Sequence, residues 1–530
     1  MFKRTVSLLT LVVMLSGLLA ACGGTPTAPT ATNAPATQPT AAATAAPAAT
    51  AAEATAAPAA TAAEATSAPA ATAAEATSAP AATAAPTNTP VALDTFDAAA
   101  AGNRTVVKWY VGLGTGGQPA QIEVERKVVD DFNKSQDKIY LALQIVDNTV
   151  AYNTLATQIA AGNVPDIIGP VGTAGRNGFA GQFLDLTDLI KKNNVDLSVY
   201  DQALVKSLDY PGQGQIGLPF AVYPSFIYYN KDLFDEAGIA YPPQKFGDKY
   251  QGKDWDFDAL RDIAMKLTVD DKGNDATSKD FNPDKIVQFG FETQFGTDPR
   301  AQATLFGADS LVSKDGKAQI PENWKVAWKY FYDAMFKDHF VPTEAYRTSE
   351  VLGNGNVFNT GKLAMAYTHL WYAGCCITEP SKSGAVKNWD IAVVPAYKGK
   401  TTAKLHGDTF VIAKATKNAD AAFTAYQYLL KNTDLLNVYG ALPAIKSEQA
   451  AFFKTLDTKF APNKINWQVA IDSLSYPDVP NHEEDLPNFL KAKDAITAFG
   501  TLMRSKAGLD IDAETKKFQD ELQTIFDEKK

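Results

Sequence analysis

The chain has 530 residues, a formal net charge of −10 and three cysteines. A mildly acidic chain without a basic run excludes a nucleic-acid reader, and three cysteines exclude a disulfide-stapled fold. Beyond the N-terminus, no apolar run is long enough to span a bilayer.

The first element is a charged start, Lys3 and Arg4, followed by an apolar core from Val6 to Leu19. It ends in Leu19-Ala20-Ala21-Cys22, small residues that fit a peptidase site. The segment resembles a bacterial lipoprotein signal, with a signal peptide over 1–22 and Cys22 as the lipidated residue. The expectation is a chain anchored on the extracytoplasmic face of the cell membrane. Residues 23–103 are Ala/Thr/Pro-rich, with Glu53, Glu64 and Glu75 marking an 11-residue period. Proline interrupts helix, and no apolar bulk offsets the ordering entropy. The segment reads as a disordered tether, spanning on the order of 50 Å as a coil.

Only two aromatics, Phe2 and Phe96, precede residue 104, so the foldable part starts there. Val106–Val111 predicts a strand with Val107, Trp109 and Val111 on one face. A helix follows from Pro119 to about Asn133, with Ile122, Val129 and Phe132 inward. Ile139–Val146 is a second strand, 150–162 a helix, and Asp166–Gly169 a third strand. This alternation predicts α/β architecture with a parallel, helix-covered sheet. Further on come an extended stretch over 216–230, helices over 255–268 and 321–338, and strands over 391–395 and 410–412. Helices close the chain from about 416 to 527. The Asp-, Gly- and Lys-rich segment 269–285 reads as an exposed loop.

Several motifs invite chemistry. Gly112-Leu113-Gly114-Thr115-Gly116-Gly117 follows a strand and precedes a helix, and Asp147 ends the next strand. That pattern fits a dinucleotide fingerprint, which an extracytoplasmic setting disfavours. It also fits backbone N–H groups offered to sugar hydroxyls, or a plain tight turn. Asp270–Asp275 hints at a calcium loop but lacks the alternating ligands and closing Glu. Tyr228-Tyr229 could offer phenolates to ferric ion, although one neighbour on a strand faces the core. Cys375-Cys376 are adjacent and admit a vicinal disulfide or two thiols. His339, His369, His406 and His482 are scattered, and the zinc-protease and esterase signatures do not occur.

The order of five segments resembles one family, the bacterial extracellular solute-binding proteins of the carbohydrate type, the maltose-binding-protein-like group. They are Ala161–Ile167, Gly214–Pro219, Tyr228–Ile239, Phe358–Ala366 and Gly440–Ala444. The second has Ile216 where the family usually carries an aromatic. The resemblance implies a type II periplasmic-binding-protein-like fold, α/β, with two lobes joined by three hinge crossings near 219–223, 396–400 and 444–447. Lobe one is then 104–219 with 400–445, and lobe two 220–399 with 446–530. It implies a substrate-binding lipoprotein of an ABC importer. Such a protein captures a mono- or oligosaccharide in the interlobe cleft and delivers it to the permease's transmembrane subunits. It is a monomer with no catalytic set, cofactor or metal.

The resemblance also implies site residues. Trp371 occupies the place of a stacking tryptophan, and Tyr223 that of an acidic ligand residue. Gly114 and Thr115 lie in the first binding loop. Gly172 lies in the loop after the third strand, where Gly169–Thr173 departs from the Trp, Asp and Arg of the family's maltose-binding member and speaks against maltose itself. Asp408, Glu292 and Gln294 complete the ligand-binding candidates. The rival readings are a secreted glycoside hydrolase, a ferric-ion binder and a surface adhesin.

Overall fold

The computed structural model describes residues 94–210, 212–294, 298–353 and 356–528. The signal segment, Cys22 and the tether up to residue 93 lie outside the described residues. The fold engages the chain ahead of residue 104. Asp94 pairs with Arg126, the Thr95 hydroxyl accepts from the Leu143 N–H, and Asp97 caps a short helix, Ala98–Ala101.

Ten strands form one mixed sheet: β1 (Thr105–Val111), β2 (Ile139–Ile145), β3 (Ile167–Val171), β4 (Ala221–Asn230), β5 (Val269–Asp270), β6 (Ile286–Thr293), β7 (Leu363–His369), β8 (Trp389–Ala392), β9 (Leu405–Ile412) and β10 (Leu442–Pro443). The order is β2-β1-β3-β9-β4-β7-β6-β5, with β8 and β10 also on β4. The expected parallel pairing holds for β1 with β2 and β3, and for β6 with β7. Elsewhere it fails: β9 runs antiparallel to both β3 and β4. β9 is far from both partners in sequence, so no single strand–helix–strand unit fixes its direction.

Two cores flank the middle of this sheet. The larger gathers Phe226–Tyr229, Trp324, Trp328, Trp389 and Phe499. The other gathers Val107, Trp109, Phe132, Phe220, Phe410 and Tyr426. Strand β4, buried along all ten residues, belongs to both. Its first half pairs with β9 and β10 and its second with β7 and β8, and the change falls at Pro224, the residue without an N–H. On β9, Ala403 just before it packs in the larger core and Phe410 in the other. The chain thus passes from one core to the other along the first half of β9. No helix among the described residues is long and apolar enough to cross a membrane.

Local chemistry explains the boundaries. Pro119 opens the first long helix, Pro119–Ser135, and Gln121 folds back to accept from the Gly116 and Gln118 N–H groups. That helix buries Gln121 and Glu125 beside Val128, Val129 and Phe132, whereas the expected Ile122 is only half-buried. Asp147 caps the next helix, Asn148–Ala160, by accepting from the Thr149 N–H at 2.9 Å. The acidic residue of the glycine-loop motif thus serves as a helix N-cap. Asp270 is likewise consumed locally. It is 1% exposed and accepts from the N–H groups of Lys272, Asn274 and Asn282, which makes the segment a closed turn and not a calcium loop.

Candidate binding cavity

A cavity of about 520 Å³ opens where the two cores meet. Its walls come from the glycine loop after β1, the start of the helix Thr173–Gly178, strands β4 and β9, the helix Trp371–Cys375 and the loop before Phe489–Ser505. Gly112 sets the glycine loop, since φ is +150° and a Cβ there would stand 2.4 Å from the Val146 carbonyl.

Seven of the eight expected residues line this cavity: Gly114, Thr115, Gly172, Tyr223, Gln294, Trp371 and Asp408. Tyr223 and Trp371 meet edge to face at 5.3 Å, and the Tyr223 hydroxyl lies 3.4 Å from Thr115 Oγ1. The indole N–H of Trp371 donates to Gln294 Oε1 at 3.3 Å, and the Thr368 hydroxyl also donates there. An aromatic wall beside an oriented amide is suited to a solute with apolar faces and polar edges. Asp408 lies between two glycine backbones, and a Cβ on Gly172 would come within 3.2 Å of its carboxylate. Burial pushes the Asp408 carboxyl up to about 6 against the opposing pull of His406 and Arg176.

Glu292 is placed elsewhere. Its side chain is 1% exposed and accepts from Arg347 on the far side of β6 and β7. Burial raises its carboxyl, partly offset by Arg347 and Arg504. The ion pair with Arg347 holds Glu292 inside the protein. Tyr228 and Tyr229 are also core residues, 0% and 2% exposed, and the Tyr228 hydroxyl donates to the His369 carbonyl. Neither lines the cavity, so the phenolate iron site has no geometry.

The cavity contains groups that sequence spacing did not join. Three of the four histidines converge: His369 and His406 rings are 4.5 Å apart, and His406 and His482 rings 4.7 Å. His482 Nδ1 lies 2.6 Å from Asp478, and His406 Nδ1 lies 3.5 Å from Glu483. Burial works to lower the His406 imidazole, and the adjacent Glu483 carboxylate overrides it and raises it. Burial likewise favours a protonated Glu483, yet His406, His482 and the Ala174 N–H hold it well below the usual carboxylate range. Burial pushes the Lys404 ammonium, another lining group, down to about 8. Cys375 and Cys376 line the same wall and are disulfide-bonded, which resolves the open alternative. The acidic, proline-containing stretch Pro477–Asp485 was the available signal, a long loop between helices.

The model of the family described as bacterial extracellular solute-binding protein matches residues 116–434. The chain belongs to this family. Among its curated relatives are binding proteins of Brucella abortus and Brucella suis, each 25% identical over 288 residues, covering 49% of this chain. The chain spans 61% of the length of these relatives.

Solved structures share the fold of this family member. An ABC substrate-binding protein from Listeria monocytogenes in complex with cycloalternan matches with a TM-score of 0.61 at 19% identity, covering 81% of this chain and 100% of that one. An ABC transporter solute-binding protein from Agrobacterium radiobacter in complex with ribitol gives 0.60 at 17%, covering 80% and 99%. The maltose/maltodextrin-binding domain from Bdellovibrio bacteriovorus bound to maltotriose gives 0.59 at 15%, covering 79% and 99%. The architecture is that of type II periplasmic-binding proteins, α/β with a central mixed sheet.

Proposed function

We propose that the chain is the substrate-binding component of an ABC importer, capturing a mono- or oligosaccharide in the cavity between two lobes. The observation that carries this is the Tyr223–Trp371 aromatic pair, which with Asp408 lines a cavity of about 520 Å³. The family and the sugar- and polyol-bound structures of the same fold support it. In this reading the lobes are 104–219 with 400–445 and 220–399 with 446–530, joined by crossings near 219–223, 396–400 and 444–447. They close on solute, because a ligand shifts a two-state equilibrium only through differential affinity for the closed form. The chain releases its solute unchanged to a permease and acts as a monomer without catalytic turnover. Cys22 carries the lipid anchor that holds it outside the cytoplasm.

A thermal-shift screen of the full chain against sugars, polyols, peptides and ferric ion tests the reading. A bound sugar at 100 times its dissociation constant adds about 2.7 kcal/mol of stability. A response confined to peptides, or chromogenic glycosides being cleaved, would overturn it. Membrane fractionation of a Cys22→Ala variant tests the anchor, and persistence in the membrane fraction would refute it.

A further inference from the structure

Where His406 and His482 face one another, their Nε2 atoms are 3.1 Å apart. Two nitrogen ligands about 2.0–2.1 Å from one tetrahedral ion stand roughly 3.3 Å apart, so the spacing is that of two ligands sharing a metal. The tautomer agrees. The Asp478 carboxylate is a pure acceptor that already receives the Leu405 and His482 N–H groups, so the ring nitrogen 2.6 Å from it, His482 Nδ1, carries the proton. His482 Nε2 then presents its lone pair towards His406. A carboxylate behind a histidine in this way is the usual outer support of a metal ligand. Glu483 supplies the third group, and one donor atom from each of the three side chains lies within 4.8 Å of the others.

Hydrogen bonds between the two chain segments hold the arrangement in place. The Ala403 N–H donates to the Tyr476 carbonyl at 2.7 Å, and the Asn481 amide donates to the Leu405 carbonyl at 2.9 Å. These bonds clamp the start of β9, which carries His406, to the loop that carries His482 and Glu483. All three side chains line the cavity, so one side of the cluster faces open space.

We propose that His406, His482 and Glu483 bind one divalent zinc-class ion in the cavity wall, with Asp478 orienting His482 from behind. Two imidazoles and one carboxylate suit zinc and its first-row neighbours, whereas calcium and magnesium favour all-oxygen sites. The fourth position faces the cavity and is left to water or a solute oxygen. Binding of the ion alone does not depend on the sugar reading.

Isothermal titration of zinc chloride into the chelator-treated full chain, without any sugar, tests this. One equivalent binds, at least 100-fold tighter than magnesium. Asp478→Asn weakens zinc about 10- to 100-fold. His406→Gln and His482→Ala each abolish the tight equivalent, and two positions keep the test decisive should one variant fail to fold. Cobalt substitution gives the visible absorption of a tetrahedral nitrogen–oxygen site, lost in His406→Gln. Absence of a stoichiometric equivalent in the folded wild-type chain, or its persistence in a folded His406→Gln, His482→Ala double variant, overturns the proposal. Failure of the sugar screen leaves this result standing, and the reverse also holds.

Discussion

The indole of Trp371 lies against the imidazole of His369, with ring centroids 4.1 Å apart and planes inclined by 21°. His369 is fully buried at the end of β7, and burial holds its imidazole well below its ordinary value, hence neutral. A flat neutral ring thus backs the indole, whose side chain lines the cavity. Trp371→Ala should weaken solute binding by at least ~1 kcal/mol, about fivefold, with Trp371→Phe retaining part of the loss. Calorimetric titration with the best sugar of the screen measures it. Unchanged affinity in a folded Trp371→Ala chain removes the indole from the site.

Asp408 predicts a second outcome. Its two oxygens lie where Cβ atoms on Gly172 and Gly114 would come within 3.2 and 3.5 Å. Gly172→Ala meets only side chains, Asp408 Oδ1 at 3.2 Å and Glu483 Oε2 at 3.8 Å, so the fold should survive while affinity falls roughly three- to tenfold. Gly114→Ala meets the Pro170 carbonyl at 3.0 Å, which is backbone and cannot yield as cheaply. Its melting temperature should drop more than that of Gly172→Ala. Equal affinities for Gly172→Ala and wild type would separate Asp408 from solute binding.

Glu292 should behave in the opposite way. Its carboxylate is buried against Arg347, and Arg504 nearby pairs with Glu344. Removing one partner of a buried pair leaves the other charge uncompensated and typically costs about 3–5 kcal/mol. Because Arg347 retains partial exposure, Glu292→Ala should cost ~3 kcal/mol in urea unfolding. The fraction that remains folded should bind solute with wild-type affinity. A selective loss of affinity without loss of stability would return Glu292 to the site.

These contrasts show what the sequence could and could not reveal. The β1–helix–β2 start was legible because Val107, Trp109 and Val111 alternate and Pro119 opens a helix at its first position. The mixed pairing was not, since strand direction depends on where the chain re-enters the sheet. The resemblance led to Trp371 and Tyr223, which local patterning alone would have assigned to the core. Glu292 and Gln294 stand two residues apart at the end of β6 and were indistinguishable as polar cleft candidates. The structure puts one on Arg347 and the other on Trp371. His406 and His482 are 76 residues apart, and only the clamp between β9 and the 476–484 loop brings them together.

Glu125 offers a pH test through a group outside the histidine cluster. It is 0% exposed in the helix Pro119–Ser135 and accepts from the Tyr439 hydroxyl at 2.7 Å. Burial pushes its carboxyl from 4.5 up to about 8, against the pull of the Tyr439 hydrogen bond. Below the unfolded value both states hold the proton, and its contribution to stability is complete. Between the two values the unfolded chain releases a proton that the folded chain retains, so stability declines as pH rises until the folded carboxyl also ionises. The decline spans roughly pH 4.5 to 8 and is at most on the order of 5 kcal/mol. Other groups also titrate in this window, so the informative quantity is the difference between wild type and Glu125→Gln, a neutral side chain of the same shape. Urea midpoints at pH 5 and pH 8 should separate widely for wild type and much less for Glu125→Gln. Equal separations would mean that Glu125 ionises in the fold at its ordinary value.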